Sequence, residues 1–478
     1  MELIFEKSIN DHRCTILPKQ DIEDFDIDES LLRKSPVNLP EIAEVDLVRH
    51  YTNLSKQTFG VDNGFYPLGS CTMKYNPKVN ETCAALKGFT NISPNGDISD
   101  IQGALEVIYA SDKAFCEITA MDKMVFQPGA GAHGEFTGLL MIKKYHCLRN
   151  DFKRNKVIIP DSAHGTNPAS ATMNGYSVVT ITSKAGLVDL DELDKVLDDS
   201  VAALMLTNPN TLGLYDSGIL EITKKVHSAG ALCYYDGANL NAIMGICKPG
   251  DMGFDCIHLN LHKTFSTPHG GGGPGVGAFG CKDFLIDYLP NPIVEKNDNK
   301  YYFKNVKNSI GKVTAFYGNF LVLVKALAYI KHLGSNGIKE ASENAVLNAN
   351  YMMAKLKHNY NVAFDRYCMH EFVLDLSNYK NEYGIRALDI CKRMMDFDMH
   401  PPTMYFPLIV HEALMFEPTE TESKQTLDEA VEVLIKISNE VKDSSFDLSK
   451  APFTTKYCRL DEVKAARNPV VRYEHKKN

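Results

Sequence analysis

From residue 104 onward the chain alternates short apolar runs with longer helical segments, and few architectures accept that alternation. Residues 105–120 have helical periodicity and precede a strand candidate at 123–127. The loop Pro128-Gly-Ala-Gly-Ala-His133 leads into a helix from 134 to about 148. Strands are expected at 156–160, 177–181 and 202–206, with a helix at 189–197 between the last two. A helix at 219–228 precedes the strand 231–236, and the apolar run 254–261 closes the series. This pattern predicts an α/β fold with a mainly parallel sheet and crossover helices on both faces. Ligands of such sheets bind beyond the carboxyl ends of the strands. The polar motifs of this chain fall at those positions.

The flanking regions have other textures. Residues 1 to about 60 lack clean periodicity. Leu31-Leu-Arg-Lys-Ser-Pro-Val-Asn-Leu-Pro40 is broken by two prolines, and 42–54 reads as a short helix. With so little apolar face, this stretch is expected to be an arm that wraps a neighbour. Residues 313–360 read as helical, and from about 362 strands and helices recur at wider spacing, including 372–376, 388–397 and 426–438. The expected organisation is an arm and active-site loop segment at 1–100 and a large domain at 101–334. A smaller C-terminal α+β domain at 335–445 and a tail at 446–478 complete it. Past Pro452 the tail has seven Lys or Arg against three Asp or Glu, which suits a solvated extension or, alternatively, a docking segment.

Composition narrows the class. The 478 residues are 44% hydrophobic and 23% charged, as in ordinary globular proteins. No run of 18 apolar residues suggests a membrane span, and the opening Met1-Glu-Leu-Ile-Phe-Glu-Lys has no signal-peptide apolar core. Twelve cysteines, from Cys14 to Cys458, include no C-x-x-C pair, which favours reduced thiols over a disulfide framework or a zinc site. A net charge of −9 argues against nucleic acid as the main partner. A cytoplasmic enzyme without membrane or metal is the expectation.

Several post-strand residues could carry chemistry. Lys263 lies just past an apolar run, followed by a polar turn and four glycines, Gly270–Gly273. A partly desolvated amine there suits Schiff-base formation, although a surface lysine before a flexible loop has the same sequence. Gly129-Ala-Gly-Ala-His-Gly134 opens a helix whose free N–H groups could hold a phosphate, or it is a plain strand-to-helix turn. Asp236 ends a strand, where a carboxylate could pair with a pyridinium nitrogen or simply cap the next helix. His164 could stack on an aromatic ring or be a solvated loop histidine. Thr207-Asn-Pro-Asn-Thr-Leu-Gly213 could offer donors to a phenolic oxygen, or be an Asn-Pro turn.

Taken in order, these motifs resemble the large domain of pyridoxal-phosphate enzymes of the aspartate aminotransferase fold, fold type I. Longer segments narrow the resemblance. Tyr66-Pro-Leu-Gly-Ser-Cys-Thr-Met-Lys-Tyr-Asn-Pro77, Pro160-Asp-Ser-Ala-His-Gly-Thr-Asn-Pro-Ala-Ser170, Tyr235-Asp-Gly-Ala-Asn-Leu-Asn241, residues 258–275 and Glu417-Pro-Thr-Glu-Thr-Glu-Ser423 are similar to segments of the glycine decarboxylase P-protein family. The length and the opening Leu3-Ile-Phe-Glu-Lys resemble the lysine-bearing subunit of its split form. At Phe126-Gln-Pro-Gly-Ala-Gly-Ala-His133 the chain departs from the family, which more often carries Ala-Ala before the glycine.

The resemblance implies pyridoxal 5'-phosphate bound covalently to Lys263, with Asp236 at the ring nitrogen and His164 stacked on the ring. Ala132, His133 and His262 would lie near the phosphate, and Thr207 and Asn208 near the ring oxygen. Ser70, Thr72 and the glycine turn are candidate walls of the glycine pocket and lipoyl entrance. The implied reaction decarboxylates glycine and passes the aminomethyl group to the lipoyl arm of H-protein, releasing CO₂, in the glycine cleavage system. The implied partners are glycine dehydrogenase subunit 1, in a heterotetramer of two copies of each subunit, and lipoylated H-protein. The alternatives are another fold type I enzyme, such as an amino-acid decarboxylase or a cysteine desulfurase using Cys281 or Cys368, and a non-catalytic partner subunit.

Overall fold

The computed structural model describes residues 2–12, 18–35, 37, 39–443 and 445–474. Cys14, Pro36 and the last four residues of the tail lie outside the described residues. The chain divides into two units, one joining residues 1–63 to 459–478 and the other spanning 64–458. In the first, the helix Glu44–Ser55 buries only His50, and the Phe5 ring stacks on Tyr473 with centroids 4.6 Å apart. Ile22, Phe25, Leu31 and Val48 of this unit are exposed.

The second unit is built on a seven-stranded sheet. Its strands are β1 (Lys123–Val125), β2 (Lys156–Pro160), β3 (Ser177–Ile181), β4 (Val201–Leu206), β5 (Leu232–Asp236), β6 (Cys256–Asn260) and β7 (Gly277–Cys281). Their spatial order is β1-β7-β6-β5-β4-β2-β3. The five strands from β6 to β3 pair in parallel, and β7 runs antiparallel to both its neighbours. Every residue of β4, β5 and β6 is buried, because helices cover both faces. Side chains alternate accordingly. Ile158, Leu204, Tyr235 and Ile257 enter one core cluster, while Val157, Met205, Tyr234 and Cys256 enter the other.

A second sheet follows, with β8 (Asn361–Val362), β9 (Phe372–Asp375), β10 (Thr403–Met404) and β11 (Ala413–Phe416) in the order β8-β9-β11-β10, antiparallel throughout. Phe372, Leu374 and Phe416 pack with Ile390 and Leu434 from the helices Ala387–Met395 and Lys424–Lys442. The helix Phe320–Leu356 leads into this region, and Gly334 interrupts it at φ 65 and ψ −176. Sequence periodicity places the helix start at 313. It begins at 320 because Phe316 and Gly318 have φ of 56 and 84, which a right-handed helix cannot contain.

The segment after Asn63 joins the two sheets. Leu68 bridges to Phe416 of β11. Buried Lys74 directs its amine to Glu420 Oε1 at 2.6 Å, Asn241 Oδ1 at 2.8 Å and the Tyr329 hydroxyl at 2.9 Å. Those three acceptors take all three ammonium protons, so its charge is tolerated in the interior. The same segment carries Ser70 and Thr72.

Candidate active site

Asp236 ends β5 and Lys263 lies in the short helix Leu261–Thr264 just beyond β6, so adjacent parallel strands deliver the two residues to one edge of the sheet. His258 pairs with Asp236 in register and therefore points to the same face. Its Nε2 lies 3.2 Å from Asp236 Oδ1, and its Nδ1 is 2.9 Å from the Tyr234 hydroxyl. Asn167 Nδ2 donates to Asp236 Oδ2 at 3.1 Å, and the Ala238 N–H donates to Oδ1 at 3.0 Å. Burial alone would raise the Asp236 carboxyl. The charge of His258 and its hydrogen bond, then Lys263 and the Ala238 N–H, outweigh burial and hold it well below the ordinary range. Burial likewise disfavours charge on His258, but Asp236 raises its pKa above the ordinary histidine value. Each member of the pair favours the charged form of the other inside the core.

Glu135, one turn into the helix Gly131–Leu148, extends this network. Its two oxygens accept from Thr166 Oγ1 and Ser170 Oγ, each at 2.8 Å. Burial, then the Asp236 charge, pushes this carboxyl up. Thr166 Oγ1 is also 2.9 Å from His164 Nδ1, fixing the imidazole in the loop after β2. The His164 pKa is lowered by burial and then by the charge of Lys263. Gly134 allows the helix to reach β6, since a Cβ there would sit 2.8 Å from that of His258.

Lys263 is 8% exposed, and among the described residues its amine makes no ion pair or hydrogen bond. Its charge acts on Asp236, His164, His262, His370, Glu371, Glu417 and Cys71, which identifies the groups gathered around it. Glu371 Oε2 accepts from the Ser70 N–H at 2.8 Å, and Oε1 accepts from Asn239 Nδ2 at 3.2 Å. Thr72 donates its hydroxyl to Glu417 Oε1. Burial is the leading cause that raises both carboxyls, Glu371 to about 7, and Glu371 adds to the rise at Glu417. The His370 pKa is pushed down to about 3 by burial and then by Lys263.

At the other end, Ala132 and His133 occupy the first turn of the helix Gly131–Leu148. Ala132 is exposed, while His133 Nδ1 accepts from the Gly129 N–H at 3.1 Å. His262 packs against His269 with ring centroids 4.7 Å apart, and its Nδ1 has no partner. Burial, then Lys263, lowers the His262 pKa to about 3. Thr207 and Asn208 follow β4 and are buried. The Asn208 amide is committed to Asp216, accepting from its N–H at 2.8 Å and donating to its carbonyl at 3.3 Å. Asn208 is therefore a holder of its own loop. Gly270, Gly271 and Gly272 have φ of 62, 74 and 131 with open space where a side chain would go. These three serve a turn conformation, while Gly273 serves a close approach, since a Cβ there would meet the His269 carbonyl at 2.5 Å.

Sequence reasoning found Lys263, Asp236 and His164, which the structure gathers within mutual electrostatic reach. It assigned no role to His258, Tyr234, Glu135, His370 or Glu371, and used Glu417 only as part of a motif. Sequence signals were faint: a histidine three residues before the apolar run ends, and a His-Glu pair just before the strand at 372.

The sheet order, the strand-end aspartate and the lysine after the next strand define the class: a fold type I pyridoxal-phosphate enzyme. Solved structures agree on the fold. A glycine decarboxylase (P-protein) of the glycine cleavage system in inhibitor-bound form superposes with a TM-score of 0.71 at 20% identity, covering 86% of this chain and 93% of that one. A cysteine desulfurase from Escherichia coli gives 0.60 at 15% identity, covering 80% and 96%. The model of the glycine dehydrogenase C-terminal domain matches residues 341–453. Over 478 residues the chain is 58% identical to a probable glycine dehydrogenase (decarboxylating) subunit 2 of Caldanaerobacter subterraneus subsp. tengcongensis, covering 98% of each. It is equally identical to the namesake of Treponema denticola over 475 residues, covering 99% of this chain and 98% of the other. The chain belongs to the glycine dehydrogenase (decarboxylating) subunit 2 family.

Proposed function

We propose that this chain carries the glycine-decarboxylating centre of a glycine cleavage system, with pyridoxal 5'-phosphate attached covalently to Lys263. The observation that carries the reading is the unpaired, buried Lys263 amine beside an Asp236 carboxylate kept ionised by His258. The donor set fits the cofactor. Asp236 would hold the ring nitrogen, His164 would lie on the ring, and the free N–H groups at Gly131–His133 with His262 would take the phosphate. Thr207 would lie near the ring oxygen with the loop that Asn208 holds. A Cβ on Gly131 would collide with the Asn260 amide, so the backbone there is pressed against the strand end. When bound, the cofactor supplies an electron sink for the pair released as CO₂ leaves glycine.

The residues of the chain do the remaining work. Asp236 would favour a proton on the ring nitrogen of the bound cofactor, because a nearby anion stabilises a cationic ring. His258, Asn167 and the Ala238 N–H fix the direction of that carboxylate. Lys263 binds and releases the cofactor, and the buried surroundings exclude water from its amine. Ser70 and Thr72 would wall the glycine pocket and lipoyl entrance, held in place by Glu371 and Glu417. The aminomethyl group passes to the lipoyl arm of H-protein, and the partner is subunit 1 in a heterotetramer of two copies of each. The enzyme is cytoplasmic; no helix among the described residues is long and apolar enough to cross a membrane. The catalytic unit divides near Gly334 into a cofactor-binding part and a smaller C-terminal part.

Cysteine desulfurase chemistry finds no support at the two cysteines the sequence offered. Cys281 and Cys368 are buried, and burial raises both thiols, Cys368 to about 12. The test is glycine–bicarbonate exchange by the chain co-purified with subunit 1, with and without lipoylated H-protein. Exchange is expected with H-protein, and its absence under both conditions overturns the reading. Lys263→Ala should abolish the cofactor absorbance at about 420 nm.

A further inference from the structure

His370 and Glu371 lie just before β9 and Glu417 just after β11, and this trio has hydrogen-bonding capacity that nothing above uses. All three are 0% exposed, and one ligand-type atom from each lies within 4.8 Å of the others. Glu417 receives only the Thr72 hydroxyl, on Oε1, and its Oε2 is buried without a partner. Both His370 nitrogens are unpartnered, with Nε2 3.8 Å from Glu417 Oε1. Glu371 takes the Ser70 N–H at 2.8 Å and Asn239 Nδ2 at 3.2 Å, one on each oxygen, so each oxygen keeps a lone pair. Among the described residues no Lys or Arg pairs with either glutamate. Lys74, two residues past Thr72, is spent on Glu420, Asn241 and Tyr329.

Hydrogen bonds tie the trio to the centre described above. Asn239, the donor to Glu371, belongs to the short helix that Asp236 caps through the Ala238 N–H. Ser266, three residues past Lys263, donates to the Tyr75 carbonyl at 2.5 Å. Tyr75 continues the segment whose Ser70 and Thr72 hold the two glutamates. The trio therefore borders both the aspartate helix and the lysine turn.

What the trio lacks is donors, and the class of occupant follows from that. Ionised carboxylates only accept, and a neutral imidazole has one accepting nitrogen. Ligands drawn to about 2.1 Å around a tetrahedral metal ion stand about 3.4 Å apart. Acceptors at about 2.8 Å around an ammonium stand about 4.6 Å apart. The 3.8 Å from His370 to Glu417 and the 4.8 Å that bounds the trio suit the ammonium, which also brings three donors and the missing positive charge. Glycine itself fits poorly, because its carboxylate would meet two others. An aminomethyl group on the lipoyl sulfur has an ammonium and no anion.

We propose that His370, Glu371 and Glu417 form a product subsite that receives the ammonium of the S-aminomethyl group as it departs on the lipoyl sulfur. The proposal deepens the decarboxylase reading and rests on it for that ligand. No covalent bond forms or breaks at the subsite. The carboxylates hold the amine protonated, and its lone pair is then unable to expel the sulfur. Without that hold, one water would convert the group to free thiol, formaldehyde and ammonium.

The experiment compares the cofactor-loaded full chain, with its partner subunit, as wild type, Glu371→Gln and Glu417→Gln. Both substitutions keep side-chain volume, and a thermal melt checks that the variants are folded. Titration calorimetry in bicarbonate-free buffer measures H-protein carrying the aminomethyl group and H-protein with its lipoyl disulfide intact. Each substitution should weaken the first by roughly 10- to 100-fold, as expected for a lost charge-assisted hydrogen bond, and leave the second within about twofold. Equal weakening of both forms, or no weakening of the loaded form in either folded variant, overturns the proposal. Isotope-labelled methylammonium, followed by NMR without H-protein, should saturate the wild type and neither variant. Failure to saturate the wild type overturns the proposal. So does Zn²⁺ or Mn²⁺ retained by the wild type after chelation and lost from both variants, because the trio would then be a metal site. If methylammonium binds as expected but the wild type shows no glycine–bicarbonate exchange with H-protein, the ammonium subsite stands and the decarboxylase reading fails.

Discussion

Two clusters inside the second unit have the same ingredients, one histidine and two carboxylates, and both are buried: a first of Glu135, Asp236 and His258, and a second of His370, Glu371 and Glu417. In the first every carboxylate oxygen has a donor, and the histidine is close enough to pair with Asp236 and is itself held by Tyr234. There the histidine is pushed towards its charged form and the aspartate towards its anion. In the second the histidine is 3.8 Å from its nearest carboxylate, has no hydrogen bond, and is pushed towards neutrality. Without a charged histidine, and despite the Lys263 charge, burial sends its glutamates towards their neutral forms. Composition does not set charge in a core. The histidine's approach matters more, 3.2 Å at Asp236 against 3.8 Å at Glu417, since Glu135 and Glu371 have a donor on each oxygen and are still pushed up.

The sharpest way to break this contrast is Asp236→Asn, which keeps shape and removes the anion. Exchange activity should drop on the order of 1000-fold, and activity near wild type would show that the first cluster is not the charge-bearing one. Next, His258→Leu strips the cation from Asp236 and leaves a buried charge unpaired, so stability should fall by about 3–5 kcal/mol in chemical denaturation. A loss below that of an ordinary hydrogen bond would make the two clusters alike. Third, Glu371 moves from an ordinary 4.5 to about 7 on folding, worth roughly 3 kcal/mol. Across that window the folded state keeps a proton that the unfolded chain has released, so stability falls as pH rises. Glu371→Gln should flatten that decline, gaining more at pH 8 than at pH 5, and an unchanged slope would remove Glu371 from the neutral side of the comparison. The smallest effect is expected from Thr72→Val, which takes the hydroxyl from Glu417 Oε1 at a cost of about 1–3 kcal/mol in the same denaturation series. A larger loss than for His258→Leu would invert the ranking.

The contrast also explains what could be read from sequence. The sheet was legible because β2, β3, β4 and β5 are short apolar runs bounded by turn residues. Asp236 and Lys263 stood out because each follows such a run. β7 was not assigned, since Gly-Ala-Phe-Gly-Cys has low strand propensity and forms only because β1 and β6 flank it. Glu135 sits where an exposed helix acid would, and only the tertiary packing of Thr166 and Ser170 against it makes it internal. Glu371 and Glu417 are 46 positions apart and meet through antiparallel pairing of β9 with β11, a register that single-sequence periodicity does not contain. The Asn208 side chain shows the converse: a donor in a suggestive motif whose amide the fold spends on its own loop.

The segment from Phe65 to Pro77 has a consequence for how the molecule comes into being. Ser70 finds its acceptor 301 residues further along, Thr72 finds Glu417 345 residues on, and Lys74 reaches Glu420 across 346. During synthesis the strands of the large sheet can pair as they emerge, but Ser70 and Thr72 have no acceptors, and Lys74 no counter-ion, until Glu371, Glu417 and Glu420 have left the ribosome. A chain halted before residue 417 would own its lysine and its aspartate and still lack a finished site.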